Sequence, residues 1–136
     1  MAIKIDPNAN YVKYGLTFLP WQGKLQTVAL RKIEEDGLYR IVFQVQAVNN
    51  TSHWGKLVNV MVTAKLLVDS KMIKVWTENI LPKQHYANPT LVKDMELRRG
   101  SIVEIKMRSD STTKFPKESV FILMSPERFQ FDVTKG

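Results

Sequence analysis

The sequence contains no cysteine and only two histidines, His53 and His85. The first absence excludes disulfides, thiolate metal sites and a cysteine nucleophile, and it fits a reducing compartment. The second leaves neither an E-x-x-H nor an H-x-H spacing, so a metal centre has too few ligands to build on. No apolar run approaches the roughly 20 residues that span a bilayer. Met1 to Asn10 is polar and lacks the apolar stretch of an export signal. The expectation is therefore a cytoplasmic protein without membrane contact. A G-x-S-x-G elbow, a phosphate-cradling glycine loop and a Ser/His/Asp constellation are all missing. The acidic turn Glu34-Glu35-Asp36 before Gly37 reads as solvated, with the glycine in a left-handed position. The sequence thus predicts no enzyme, no cofactor and no metal. It also lacks internal repeats, low-complexity tracts and linkers, so residues 1–136 read as one domain. A chain of this length buries roughly two thirds of its unfolded surface, enough for one core without staples.

What is present is positive charge and alternation. Twenty Lys and Arg stand against 13 Asp and Glu, a formal charge of +7 spread along the chain. Such a balance suits either a soluble cationic protein or a polyanion-binding face. Leu38 to Val48 places Ile41, Phe43, Val45 and Ala47 on one side, and Arg40, Val42, Gln44 and Gln46 on the other. Leu57 to Leu66 repeats the pattern with Val58, Val60, Val62 and Ala64. A turn at Asp69-Ser70-Lys71 leads to Met72 to Trp76, where Ile73 and Val75 alternate with Lys74 and Trp76. Ser101 to Arg108 and Ser119 to Met124 read as strands, with Val103, Ile105 and Ile122 inward. Phe129 to Val133 adds an edge strand. Leu25 to Ile33 and Tyr11 to Trp21 precede the meander as extra strands. Between Asn88-Pro89 and Gly100, boundary signals predict one short helix over about Thr90 to Leu97, with a loop as the alternative and Tyr86 packed at its approach.

The predicted class is all-β, mainly β with one short helix. From Leu38 to Met124 the order is strand, strand, strand, short helix, strand, strand, which is that of an OB-fold-like barrel. A β-sandwich is the alternative. Two polar connections, Asn49 to Lys56 and Ser109 to Lys117, carry an aromatic ring beside lysine: Trp54 with Lys56, and Phe115 with Lys114 and Lys117. In an OB barrel these are binding loops. Lys65, Lys74 and Trp76 on the second and third strands, and Lys106 and Arg108 on the fourth, complete a candidate groove. Rings there would stack on bases while cations meet phosphates.

In size, element order and these two loops the chain resembles OB-fold single-stranded-DNA-binding proteins of phages and mobile elements, without a family motif. That resemblance implies non-enzymatic binding of single-stranded nucleic acid, accessory to replication, recombination or transfer of DNA. The ending Phe131-Asp-Val-Thr-Lys-Gly136 departs from the acidic tail of bacterial housekeeping single-strand binders, so recruitment through such a tail is not implied. Two other classes stay open: a structural or assembly protein of a virion or secretion system with a β-sandwich core, including a homo-oligomer, and a small protein-binding or inhibitory module.

Overall fold

The computed structural model describes residues 11–12, 25–49, 59–83, 85–111, 122–124 and 128–136. Its strands are β1 (Tyr11–Val12), β2 (Gln26–Lys32), β3 (Gly37–Gln44), β4 (Ala47–Asn49), β5 (Val60–Val68), β6 (Lys71–Ile80), β7 (Tyr86–Ala87), β8 (Thr90–Leu97), β9 (Ile102–Ser111), β10 (Ile122–Met124) and β11 (Gln130–Lys135). One sheet runs β1-β2-β9-β5-β6. Two shorter sheets run β10-β4-β7 and β11-β3-β8. These two continue one another: β3 leads into β4 across Val45-Gln46 and β7 into β8 across Asn88-Pro89, where Val45 N donates to Pro89 O at 3.2 Å.

The two layers face each other across one apolar core. Val28, Val60, Val62, Ala64, Leu66, Val103, Ile105 and Met107 come from the large sheet. Tyr39, Ile41, Phe43, Leu91, Leu97, Phe131 and Val133 come from the small one. Buried Asn49 crosses between them, its Nδ2 donating to Ile80 O at 2.8 Å. Arg31 Nη1 does the same at the rim, 3.4 Å from Val133 O.

The pairing is nested. The β5–β6 hairpin lies in the large sheet, β3–β8 around it in the small sheet, and β2–β9 around both in the large sheet again. Antiparallel pairs that alternate between two sheets in this way make a jelly roll, one form of β-sandwich. The all-β class therefore holds, in the sandwich arrangement and not as a closed barrel. An OB barrel needs the Leu38 strand beside the next strand of the meander. Here β3 pairs with β8 and β11, while β5 pairs with β9 and β6. The N-terminal segment expected to be an addition is integral, since β2 pairs with β9, whereas β11 forms the expected edge strand, beside β3.

Two local signals had other meanings. Thr90 to Leu97 is strand β8, paired with β3 over eight residues from Gly37↔Leu97 to Gln44↔Thr90. Leu, Met, Glu and Lys favour helix, but alternate positions Leu91 and Leu97 are buried, and the tertiary pairing overrides propensity. The glycine taken as a helix end sits in the β8–β9 turn: Gly100 has φ +91°. Gly100→Ala is expected to cost about 1–2 kcal/mol through forced left-handed backbone, read as a lower midpoint in urea unfolding. Gly37, in contrast, has no positive φ; it opens β3 where the Lys135 side chain passes over it.

The second concerns the phase of β6. Leu66 pairs with Lys74 but Leu67 with Met72, so Ile73 is an extra residue in a β-bulge. The bulge shifts the alternation. Trp76 then lies opposite Ala64, on the core side, and Val75 opposite Lys65, on the outside. Val75 is 50% exposed where burial was expected, and Ile73 is only partly buried. Tyr86 is exposed as well.

Candidate functional site

Three of the cations expected to bind share one surface. On the outer face of the large sheet, Lys65 lies directly opposite Lys106, and Thr63 opposite Arg108. All three cations are half-buried. Like charges opposite each other in a sheet are destabilising. The same face holds acids that temper it: Glu104 accepts from Thr27 Oγ1, and Asp110 Oδ2 is 3.6 Å from Arg108 Nε. Leu30 and Thr63 on this face are buried.

Lys74 and Trp76 do not join them. Trp76 packs against the core from β6, with its Nε1 buried and lacking a hydrogen-bond partner among the described residues. A ring so placed has little free face for a base. Lys74 is exposed at the sheet border and donates from Nζ to Val92 O at 3.0 Å, tying β6 to β8. Trp54, Lys56, Lys114, Phe115 and Lys117 lie outside the described residues. The groove expected from an OB order is thus divided: Lys65, Lys106 and Arg108 together, Lys74 and Trp76 around the edge.

A second surface was not anticipated. The outer face of β11-β3-β8 is open. Leu38 is 57% and Val92 41% exposed, and Val42 between them is half-buried. Leu38 and Val42, with Arg40, Asp94, Asp132, Thr134 and Lys135, line a shallow depression of about 490 Å³. Arg40 clasps Asp94 with two bonds, Nε to Oδ1 at 2.8 Å and Nη2 to Oδ2 at 3.0 Å. These hydrogen bonds, and behind them the charges of Arg40 and Lys93, hold the Asp94 carboxyl below its ordinary value. Stability from this pair is present above the carboxyl's unfolded pKa and fades as pH falls through the lower folded value. Both side chains are exposed, so the contribution is small. Glutamine and acid complete the rim: Gln44 Nε2 donates to Gln130 Oε1 at 2.7 Å, and Gln130 Nε2 to Asp132 Oδ2 at 2.6 Å. In the sequence, Val42 among Arg40 and Gln44 was the one hint of an apolar stripe on a polar face. Its partner Val92 was hidden inside the segment read as helix.

Beside this face runs β6, at the border of the large sheet. It exposes Lys71 and Lys74 and, on its other side in register with Leu67 and Lys65, Met72 (54%) and Val75 (50%). Among the described residues no group of three His, Cys, Asp or Glu is placed to hold a metal, and no helix is long and apolar enough to cross a membrane.

No protein-family model matches the chain, and no curated protein matches it. Among solved structures, a chain of the T13 IBDV viral particle aligns at 12% identity with a TM-score of 0.46, over 95% of this chain. The alignment covers 34% of that viral chain, so this chain spans about a third of its length.

Proposed function

We propose that this chain is a structural, self-associating protein, a jelly-roll unit of an assembly such as a virion or a secretion system. Jelly rolls serve as capsid building blocks, lectins and cupins, so the fold narrows the choice without making it. The observation that favours assembly is apolar surface exposed on an open sheet face, the cross-strand pair Val42–Val92 and, beyond the Arg40–Asp94 pair, Leu38. Apolar side chains gathered in this way mark an interaction surface. The buried interior is almost wholly apolar, with Asn49, Thr63 and Ser109 the buried polar residues described, so the chemistry on offer lies at the surface. Light scattering of the purified protein over a wide range of concentration tests the reading: mass above that of the 15.7 kDa chain supports it, and a monomer throughout rejects it.

A second reading, binding of single-stranded nucleic acid, is favoured by one observation. Lys65 faces Lys106 across β5 and β9 at an energetic cost that a phosphate between them would offset. Titration with single-stranded and double-stranded oligonucleotides at two salt concentrations distinguishes the readings. Under this second reading Lys65→Met lowers the slope of log affinity against log salt by roughly 0.7, one single-strand phosphate contact, while the melting temperature rises as the repulsion is relieved. No single-strand affinity at low salt removes this reading.

A further inference from the structure

We infer that the partner on the open sheet face is a second copy of this chain, related by a two-fold axis at the corner where β6 meets β8; the inference rests on the self-association reading. Two patches of opposite sign adjoin there. The outer face of β3, β8 and β11 carries Asp94, Glu96 and Asp132 against Arg40, while Lys135 at its rim is held by Glu35 at 2.7 Å. This is an acidic surface on a chain whose formal charge is +7. The neighbouring corner is basic: Lys71 and Lys74 on β6 and Lys93 on β8 are all exposed, and the one carboxylate of β6, Glu78, is half-buried. The patches touch, since Lys74 Nζ lies 3.0 Å from Val92 O.

Two adjoining patches of opposite sign are self-complementary. A half-turn about their border lays the acidic face of one copy on the lysine corner of the other, and the reverse at the same time. The acidic face also brings exposed apolar surface to the contact, Leu38 and Val92. Two copies of net charge +7 repel in most orientations, so complementary charge selects this one. Lysines along the β6 border meanwhile discourage indiscriminate strand-edge pairing.

The test reverses one patch at a time. Lys71→Glu with Lys74→Glu makes both patches acidic. Glu96→Lys with Asp132→Lys makes both basic. All four positions are exposed, so the fold should survive, which circular dichroism and a thermal melt check. At low salt the wild type is expected to sediment as a dimer that weakens with added salt. Each reversed protein is expected to be monomeric, and a mixture of the two to form a one-to-one dimer. Should a reversed protein fail to fold, Leu38→Arg at its exposed position replaces it, and is expected to lose the dimer. A wild-type oligomer that persists in both reversed proteins, or a mixture that stays monomeric, overturns this interface while leaving self-association standing. A wild type that is monomeric at every concentration overturns both.

Discussion

Val62→Asp unfolds the domain at room temperature. Val62 is fully buried on the inner face of β5, opposite Glu78 on one side and Ser109 on the other. A carboxylate there has no cation in register with it, and burying an unpaired charge costs several kcal/mol. The half-buried carboxylate of Glu78 directly across the ladder adds like-charge repulsion. A domain of this size is stable by only about 5–15 kcal/mol. Thr77→Asp, at an exposed position on the neighbouring strand, is the matched control and should melt close to the wild type. Far-ultraviolet circular dichroism shows both. A cooperative melt of Val62→Asp at the wild-type temperature would mean that β5 turns its other face inward.

Phe43→Ala is the second large effect, a loss of about 3–5 kcal/mol. Phe43 is fully buried near the end of β3 and is among the largest side chains in the core. Its ring meets Phe129 edge to face, with centroids 5.5 Å apart and planes at 82°. In register it stands between Leu91 on β8 and Phe131 on β11, both buried, so its removal opens a cavity under the whole small sheet. The melting temperature should fall by on the order of 10 °C or more. Phe43→Leu keeps most of the volume and should lose markedly less. Equal losses for the two would indicate that the core relaxes around the deletion instead of retaining a cavity.

Strand phase was legible where alternation was strict. Ile41, Phe43, Val45, Val60, Val62, Val103 and Ile105 are all buried as their spacing predicts. Val58 and the side chain of Ile122 lie outside the described residues. Phase failed at β6 because a bulge at Ile73 inserts one residue, and a single insertion turns every later side chain over. Local chemistry does not mark that insertion. Pairing order was less legible than phase. Alternation shows which side of a strand is apolar, but β3 could meet β5 or β8 with the same inward residues. The Thr90 to Leu97 segment fell between two periods: good helix formers in composition, strand in context, with Pro89 and Gly100 serving as breaks at both ends.

The candidate surface was less visible still. A binding groove was sought in aromatic-basic loops, whose rings lie outside the described residues, and on side chains that turn out to lie on different faces of one sheet. The open face depends on Val42 meeting Val92 across two strands distant in sequence. No short window of sequence contains that meeting.

Sedimentation equilibrium on the purified chain at low salt probes self-association most directly. A fitted mass that rises with concentration to twice that of the 15.7 kDa chain, and falls back when salt is added, is what the adjoining acidic and basic patches require. A single-chain mass at every concentration and salt would refute an assembly role for this surface.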